Sequence, residues 1–453
     1  MIRLFIPEPV RFVLDRLRTN QFKSYVVGGA VRDALLNKSC EDMDILTHAT
    51  LEQIKNVFSD QNVKIVGKTF SVCLVNGIEV AAPRLYMNGP DITGSDITGP
   101  NQDIQDFLHS DLSCRDFTIN AMAWDPDTFE LIDPLGGQKD LAKRLIRFTL
   151  NPEQRIKQDP VRMIRACRFL SLMDGTIDPA SRDMIISLAG LIETSTAQER
   201  IKEEIIKAMA LEKPSLFFTA LKTMGLLEKI FPSLDRCYGL DGGPFHGETV
   251  FEHCLLVGDA LSAKQPFLRL AGFLHDTGKF DAAHIKDGRL TFAGHQTRTR
   301  AVAKDLSRLK FSNNDITYII ALIRTHMRPL SDETTPKAAR RLLAMLDQNK
   351  LCVQDFMRIR IADKKGNLKK QPYTFNEIRV RLEKLYNEIK PDMALSVNRL
   401  NITGNDIIKL MNIDSGPQVG KIKQILFERV LDDPSLNTHE KLIKICQSLK
   451  INE

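Results

Sequence analysis

Cysteine is sparse in this sequence, and no two cysteines form a recognisable pair along the chain. The eight cysteines stand singly at positions 40, 73, 114, 167, 237, 254, 352 and 446. They include no CxxC pair and no spacing typical of a zinc finger. This scattered use suits a reducing cytosol better than a disulfide-stabilised secreted scaffold.

Long apolar segments are missing as well. No run approaches the roughly 20 residues that a helix needs to cross a bilayer. The first twenty residues lack the apolar core of a signal peptide because charges interrupt them throughout. These charged residues are Arg3, Glu8, Arg11, Asp15 and Arg16. We therefore expect a cytoplasmic protein with no membrane partner.

Charge of one sign is only slightly in excess. The chain has 63 lysines and arginines against 57 aspartates and glutamates, a net charge of +6. This excess favours an anionic partner only mildly, because many basic proteins bind no nucleic acid. The 453 residues are too many for one compact core and predict about two to four domains.

The residue pattern itself changes near position 150. Before this point short β-rich runs alternate with helical runs, and after it apolar residues repeat at helical spacing almost throughout. Breaks that contain glycine lie at 239–247 and 364–372 and place domain boundaries near 148, 238 and 370. The expected fold class is α+β, with a small mixed β-sheet followed by a mostly helical remainder. The predicted strands are 25–27, 44–46, 72–74 and 78–80, and the predicted helices between them are 30–37 and 51–60.

A glycine pair lies where the first predicted strand turns into a helix. Gly28 and Gly29 are followed by Arg32 and Asp33. Backbone N–H groups at such a turn can approach a phosphate, which a helix N-terminus also attracts. A tight turn with no ligand explains the same glycines equally simply.

Carboxylates cluster shortly afterwards. Asp42 and Asp44 are two apart, which in a strand puts them on the same face, about 7 Å from each other. Glu79 lies in another predicted strand and is a third candidate for the same site. Carboxylates side by side repel each other unless cations lie between them, which predicts a two-metal phosphoryl-transfer site. A lone DxD motif, by contrast, is usually a solvated turn.

Four ordered motifs resemble the class II tRNA nucleotidyltransferases and the bacterial poly(A) polymerases. The motifs are Gly28-Gly29-Ala-Val-Arg32-Asp33, Asp42-Met-Asp44, Arg115-Asp-Phe-Thr-Ile-Asn-Ala-Met-Ala123 and Asp159-Pro-Val-Arg162-Met-Ile-Arg165-Ala-Cys-Arg168-Phe169. The resemblance implies a nucleotidyltransferase head over 1–148 and a helical neck for nucleotide and RNA over 149–238. It also implies template-independent addition of CCA to the tRNA 3′ end from CTP and ATP.

The resemblance assigns roles to individual residues. Asp42 and Asp44 would hold Mg²⁺ with help from Glu79. The implied nucleotide-binding residues are Gly28, Gly29, Arg32, Arg115, Asp116, Asn120, Asp159, Arg162, Arg165 and Arg168. Without the resemblance, Arg115, Asp116 and Asn120 would be interpreted as an ordinary helix start with a surface ion pair.

Base choice without a template is the role implied for Asp159 and Arg162. Cytosine and adenine each present an amino donor beside a ring-nitrogen acceptor, which suits a carboxylate next to a guanidinium. Uracil and guanine present a carbonyl beside an N–H and would be rejected. The alternative is structural: Asp159 as the N-cap and Pro160 as the first residue of a helix.

Three features depart from the family pattern. Gln158 stands where the family usually has glutamate, and Cys114 stands where it usually has arginine. The stretch after Arg84 contains two DITG units, at 91–94 and 96–99, where the family has a flexible loop needed for the switch from C to A. The departures affect the expectation for base choice more than the expectation for nucleotide transfer.

A second group of residues resembles the HD-domain phosphohydrolases. The His275-Asp276 pair lies within Phe273-Leu-His-Asp-Thr-Gly-Lys279, and further histidines and an aspartate flank it. The resemblance implies a metal site formed by His253, His275, Asp276 and Asp363 and a second formed by His295 and His326. Mn²⁺, Fe²⁺ or Ni²⁺ suits these ligands, and Mg²⁺ is an alternative. His246 is a weaker candidate, and any of these residues taken alone is usually structural.

The implied domains after the neck are an HD phosphohydrolase-like domain over 239–370 and a helical tRNA-binding tail over 371–453. Helices that begin near Asn401 and at Gly420 are expected in the tail, with Lys421 and Lys423 either facing RNA or simply solvated. The alternatives to a CCA-adding enzyme are a poly(A) polymerase, a partial enzyme that adds only CC or only A, and an HD phosphohydrolase whose head only binds RNA. Against the poly(A) polymerase, the chain ends soon after Lys450, without a long basic extension.

Overall fold

The computed structural model describes residues 4–40, 43–66, 71–82, 84–85, 92–93, 104–331, 333–388 and 394–449. Within these residues the chain divides into two compact units. The first comprises residues 1–204 and 219–229, and the second comprises 205–218 and 230–453. The fourfold division expected from the sequence stays a prediction.

A mixed β-sheet forms the centre of the first unit. Its described strands are β1 (Ser24–Val27), β2 (Asp44–Thr47), β3 (Val63–Val66), β4 (Val72–Val75), β5 (Ile78–Ala81), β8 (Ala123–Trp124) and β9 (Leu131–Ile132). They are ordered β3-β4-β5-β2-β1-β8-β9. The pair β2–β5 is parallel and the others are antiparallel, so the expected mixed sheet is confirmed.

Short two-stranded pairings lie outside this sheet. They are β6 (Arg84–Leu85) with β7 (Ile92–Thr93), β10 (Leu145–Ile146) with β11 (Thr176–Ile177), and β12 (His284–Lys286) with β13 (Arg289–Thr291). Apart from the pair at 92–93, the two DITG units lie outside the described residues, and so does Asp42.

Helices cover the sheet and then account for most of the chain. In the head they are α1 (Glu8–Thr19), α2 (Gly29–Leu35), α3 (Leu51–Val57), α4 (Ile104–Cys114) and α5 (Gly137–Ala142). The head core includes Tyr25 and Val27 of β1, Leu46 of β2 and Leu112 of α4. The alternation of strands and helices expected before residue 150 is therefore observed.

The next helices follow in close succession. They are α6 (Pro152–Gln158), α7 (Val161–Met173), α8 (Pro179–Leu188), α9 (Leu191–Thr194), α10 (Gln198–Met209), α11 (Ser215–Thr223), α12 (Leu227–Ile230) and α13 (Pro232–Asp235). Asp159 is the C-cap of α6 rather than the N-cap of α7, and Pro160 occupies the N-cap position. The expected helix start at Asp159 was wrong by one residue.

A helical bundle with one β-hairpin, β12–β13, follows in the second unit. It contains α14 (Val250–Asp259), α15 (Pro266–Leu274), α16 (Lys279–Ala282), α17 (Arg300–Arg308), α18 (Asn313–Thr325), α19 (Pro336–Gln348) and α20 (Val353–Gly366). The helices α14 and α15 approach closely at two glycines. A Cβ on Gly258 would lie 2.3 Å from the Phe273 ring, and one on Gly272 would lie 2.5 Å from Leu261.

The last helices are α21 (Phe375–Asn387), α22 (Gly404–Met411), α23 (Pro417–Asp432) and α24 (His439–Ser448). Ile407 of α22, Ile422 and Leu426 of α23, and Leu442 of α24 contribute to a core that these three helices share. The helix expected at Gly420 begins three residues earlier, because proline is well suited to a first helical turn. No described helix combines the length and apolarity of a membrane span.

Candidate functional site

The glycine turn after β1 brings a carboxylate and a guanidinium together. Gly28 has φ +77°, a conformation that side-chain-bearing residues rarely adopt. A Cβ there would lie 2.7 Å from Arg115 Nη1 and 3.8 Å from Asp44 Oδ2. Glycine therefore satisfies both the backbone and the space, and it leaves Asp44 and Arg115 facing the start of α2.

Strand register places Glu79 near Asp44. Asp44 begins β2 and pairs with Val27 of β1, while Ile45 pairs in parallel with Val80 of β5. One step back along this register sets Glu79 beside Asp44, on the same face of the sheet. Glu79 is exposed and Val80 is buried, so this carboxylate lies on the solvent side of β5.

A cleft of about 420 Å³ lies next to this turn. It is lined by Gly28, Gly29, Arg32, Asp44, Cys114, Arg115, Asp116, Asn120, Asp159, Arg162, Arg165, Phe169 and Arg200. Nine of the ten nucleotide-binding residues expected from the sequence are in this set. Arg168 is not among them: its Nε donates to Glu204 at 2.5 Å, and its guanidinium stacks on Phe169.

Asp116 anchors one wall of the cleft. Its carboxylate accepts hydrogen bonds from Arg165 Nη2 at 2.6 Å and from Asn120 Nδ2 at 2.9 Å. Burial alone would raise the pKa of Asp116, but Arg165 and the hydrogen bonds lower it to about 2. Asn120 in turn accepts from Arg32 Nη1 at 2.6 Å. The alternative of a surface ion pair is wrong, because Asp116 is buried.

The opposite wall carries the residues expected to choose the base. Asp159 accepts two hydrogen bonds from Arg200, at 2.8 and 2.7 Å. Arg162 Nη1 donates to the Arg155 carbonyl at 3.1 Å and to Gln158 Oε1 at 3.3 Å. The amide oxygen of Gln158 thus accepts a hydrogen bond from the Arg162 guanidinium.

The second unit brings all six expected metal ligands into one cluster, in which the four histidines and Asp276 are buried and Asp363 is half-buried. His253 Nε2 lies 3.1 Å from Asp363 Oδ1, and His275 Nε2 lies 3.3 Å from Asp276 Oδ2. His295 and His326 approach the other oxygen of Asp276, with their Nε2 atoms at 2.9 and 3.5 Å from Oδ1. Asp276 therefore bridges two ligand sets, as expected for two neighbouring metal positions.

Backbone carbonyls orient the four histidine rings. The Nδ1 atoms of His253, His275, His295 and His326 lie between 2.6 and 3.2 Å from the carbonyl oxygens of Gly366, Gly272, Phe292 and Ile323, respectively. Protonated Nδ1 atoms would donate to these oxygens and leave each Nε2 unprotonated toward the cluster, the arrangement typical of metal-binding histidines. His275 Nε2 is buried and has no hydrogen-bond partner, so the donor set fits a bound cation.

Opposite charges control the protonation of this cluster in the absence of a cation. Burial would lower the pKa of His275, but Asp276 raises it well above the ordinary value. Burial would raise the pKa of Asp363, but the neighbouring His253 and His275 hold it well below the ordinary value.

An outer layer of polar residues supports the histidines. Glu248 Oε1 lies 2.7 Å from His246 Nδ1 and 3.0 Å from His253 Nδ1, and Glu248 Oε2 accepts from the backbone N–H of Leu368. Lys279 Nζ lies 2.7 Å from Asp276 Oδ2. His246 and Lys279 line a cavity of about 730 Å³ that opens onto the cluster.

Comparison with known proteins matches both regions. Residues 24–147 match the poly A polymerase head domain, 175–238 the probable RNA and SrmB-binding site of polymerase A, and 250–358 the HD domain. A multifunctional CCA protein of Xylella fastidiosa strain M23 is 34% identical over 325 residues, which cover 67% of this chain and 74% of the relative. The chain belongs to the family of tRNA nucleotidyltransferases and poly(A) polymerases.

Other members of this nucleotidyltransferase family differ in their named activity. An A-adding tRNA nucleotidyltransferase of Deinococcus radiodurans is 29% identical over 71% of this chain and 75% of the relative. Poly(A) polymerase I of Salmonella typhi is 34% identical over 52% of each chain, so the match spans about half of that relative's length. The CCA-adding enzyme of Bacillus stearothermophilus, solved with CTP, superposes with a TM-score of 0.68 at 22% identity over 97% of each chain and confirms the fold.

Family membership identifies the chain as a nucleotidyltransferase with an appended HD domain. Both kinds of domain use divalent metal ions, and the His–Asp groups of the second unit are candidates for holding them. Sequence reasoning missed Arg200 and Glu204 in the cleft region and Glu248 and Lys279 around the HD cluster. Lys279 follows the His–Asp pair by three residues, the one signal that could have indicated it.

Proposed function

We propose that this nucleotidyltransferase adds CCA to the 3′ end of tRNA, using CTP and ATP. The observation that carries the proposal is the single cleft that joins Asp44 and the Gly28 turn to Asp159 and Arg162. A carboxylate for metal binding and a carboxylate–guanidinium pair for base selection thus line the same space. The relatives named as CCA and A-adding enzymes support this substrate class.

The chain's own residues bind and orient the nucleotide in this proposal. Gly28, Gly29 and Arg32 would contact the phosphates at the N-terminus of α2, where backbone N–H groups are available. Arg115 and Arg165 would add positive charge along the same wall, which favours a triphosphate. Catalysis would then consist mainly of positioning and charge neutralisation.

Mg²⁺ is the cofactor proposed for the head. Asp42 and Asp44 would hold it, with Glu79 assisting from the adjacent strand. When bound, Mg²⁺ would lower the pKa of the RNA 3′-hydroxyl and stabilise the pyrophosphate leaving group. Carboxylate oxygens are the ligands that Mg²⁺ prefers in proteins.

Base selection is proposed to use Asp159 as acceptor and Arg162 as donor. The amino groups of cytosine and adenine would donate to the carboxylate, and their ring nitrogens would accept from the guanidinium. Gln158 supports Arg162 from the last turn of α6. Uracil and guanine present the reverse pattern, which leaves a carbonyl facing the carboxylate.

The decisive experiment offers purified protein tRNA transcripts that end before CCA, after C and after CC. CTP, ATP, UTP and GTP are supplied singly and together with Mg²⁺, and the products are sequenced. Addition of C, C and A that then stops is the expected result. A halt at CC, or a start only after CC, would identify a partial enzyme, and a long A tract would identify a poly(A) polymerase.

We infer that the HD cluster supports a second function, phosphohydrolase activity on 2′,3′-cyclic phosphates or phosphates at RNA ends. The observation in favour is the set of four buried, oriented histidines and two aspartates beneath an open cavity. Histidine and carboxylate ligands favour Ni²⁺, Mn²⁺ or Fe²⁺ over Mg²⁺. Repair of damaged tRNA ends would place both activities on the same substrate.

The test of the second function screens hydrolysis of a nucleoside 2′,3′-cyclic phosphate with each of the four metals in turn. Hydrolysis that depends on a transition metal and is lost in Asp276→Asn is the expected result. If the protein bound metal but hydrolysed the cyclic phosphate with none of the four metals, the HD cluster would be a structural metal site. We also propose that the tail over 371–453 binds tRNA, with Lys421 on α23 among the contacting residues. The enzyme would act in the cytoplasm.

A further inference from the structure

The carboxylate proposed to select the base is already engaged by an arginine outside the recognised motifs. Arg200 Nη1 donates to Asp159 Oδ1 at 2.8 Å, and Arg200 Nη2 donates to Oδ2 at 2.7 Å. The two residues are 41 positions apart and both line the cleft that contains Asp44. Both belong to the first compact unit.

The positions of the two residues in their helices make this contact specific. Asp159 is the residue at which α6 ends, and its side chain caps no following helix. Arg200 lies in the first turn of α10, which begins at Gln198. The side chain of Asp159 is 22% exposed and that of Arg200 is 52% exposed, so the pair lies at the open side of the cleft.

A bidentate contact fixes the plane of a carboxylate, whereas a single hydrogen bond leaves it free to rotate. The terminal torsion of aspartate is broad and lets a free carboxylate rotate. A guanidinium that binds both oxygens holds that torsion at one value. Each carboxylate oxygen has two lone pairs, so Asp159 keeps acceptor capacity for the amino group of a base.

We propose that Arg200 is a positioning residue for base selection: it holds the Asp159 carboxylate in the orientation that accepts the amino group of cytosine or adenine. This inference rests on the proposed function, because it requires Asp159 to contact the base. Arg200 acts through Asp159 and has no role in the chemistry of transfer. Its removal therefore impairs selection while the reacting groups stay in place.

The competing explanation is an ordinary ion pair that ties the end of α6 to α10. Exposed ion pairs contribute little to stability, and their loss has no reason to change base choice. Arg182 supplies a matched comparison in the same unit. It is 48% exposed and lies 2.8 Å from Asp183 on α8, away from the cleft-lining residues.

The experiment measures kcat, KM and misincorporation for Arg200→Met, Arg200→Lys and the control Arg182→Met, with tRNA lacking CCA as the acceptor. For Arg200→Met we expect KM for CTP and ATP to rise about tenfold, the loss typical of one charged hydrogen-bonding partner. The ratio of UTP to CTP incorporation should rise by a similar factor, with kcat changed much less. Lysine should restore part of the selectivity, because it keeps the charge but not the planar fork. Arg182→Met should match the wild type.

A double-mutant cycle with Asp159→Ala connects the effect to the carboxylate. Once Asp159 is absent, Arg200→Met should cause no further change in KM or misincorporation. Additive losses, or an Arg200→Met enzyme with wild-type selectivity, would overturn the inference. Failure of the wild-type enzyme to extend tRNA would instead overturn the proposed function, and unchanged selectivity of Asp159→Ala would overturn the base-reading role. Thermal unfolding of each variant identifies any that fail to fold.

Discussion

Gln158 stands where the sequence resemblance leads us to expect a glutamate. Its Oε1 accepts from Arg155 Nη1 at 2.7 Å and from Arg162 Nη1 at 3.3 Å, so the amide oxygen already makes the contacts expected of a carboxylate. We therefore expect Gln158→Glu to preserve the choice of C and A and to change KM for CTP by less than about tenfold. Steady-state kinetics with CTP, ATP, UTP and GTP checks this. A switch in base preference would show that the amide sets specificity.

Asp116 makes the stability of the head depend on pH. Its pKa is about 2 in the folded protein, against an ordinary value of 3.8. A lowered pKa contributes stability above the unfolded value, and that contribution is lost as pH falls from about 4 toward 2. We expect about 2 kcal/mol of unfolding free energy from this group at neutral pH.

Urea unfolding of the wild type and Asp116→Asn between pH 6 and pH 2.5 measures this contribution. The two free energies should differ most at pH 6 and converge as the pH falls below about 4. Asp183→Asn, at an exposed position of the same unit, should follow the wild type at every pH. If the difference between the two unfolding free energies stayed constant with pH, the contact with Arg165 would not be what keeps Asp116 ionised.

Single residues also show how far the sequence alone could predict the site. The motif residues were predictable because short, ordered strings of glycine, aspartate and arginine identify their chemistry. Arg200 and Glu204 were not, because their partners Asp159 and Arg168 are 41 and 36 positions away. Only the position of α10 in the fold brings them next to these partners. Glu248 was missed because the Leu368 backbone N–H that donates to it is 120 positions away.

At the scale of elements, a buried glutamate joins α7 to α10. Glu204 Oε1 accepts from Arg165 at 3.3 Å, and Oε2 accepts from Arg168 at 2.5 Å. Glu204 is 4% exposed, so its loss would remove a buried negative charge that the guanidinium groups of Arg165 and Arg168 both contact. We expect Glu204→Gln to lower the free energy of unfolding by about 2 kcal/mol.

The neighbouring Glu203 is the natural control for this measurement. It lies on the same helix but is exposed, so Glu203→Gln should change the unfolding free energy by less than about 0.5 kcal/mol. Urea unfolding followed by circular dichroism compares the two variants. Equal effects would show that the α7–α10 contact does not depend on the buried charge.

Helices and strands were largely predictable as elements, and the ends of the strands were predicted more closely than the ends of the helices. The strands at 25–27, 44–46, 72–74 and 78–80 are observed within one residue at each end, because alternating β-branched residues mark them. The start expected at Asp159 failed, because the carboxylate binds Arg200 instead of capping α7. A local signal for a cap cannot reveal a distant side chain that binds the same oxygen atoms.

At the scale of the whole molecule, the two sets of candidate ligands belong to different compact units. Asp44 and the cleft lie in the unit of residues 1–204 and 219–229, and the HD cluster lies in the unit of 205–218 and 230–453. Each set is complete among the described residues of its own unit, apart from Asp42, which lies outside them. The composition predicted more than one domain, but periodicity alone could not place the boundary, because helices continue across it.

This separation predicts that the two proposed activities can be removed one at a time. Asp44→Asn should reduce nucleotide addition to tRNA by at least about 100-fold, because a carboxylate ligand to the cation is lost. Hydrolysis of the cyclic phosphate should stay at the wild-type rate.

Asp363→Asn, which removes the partner of His253 Nε2, should have the opposite effect and should lower the content of tightly bound metal in the purified protein. Asp183→Asn serves as the control for both assays, since its side chain is exposed and forms an ion pair with Arg182, which is also exposed. Loss of both activities in either single variant would show that the sites depend on each other. Persistence of nucleotide addition in Asp44→Asn would instead place the transferase chemistry on other residues.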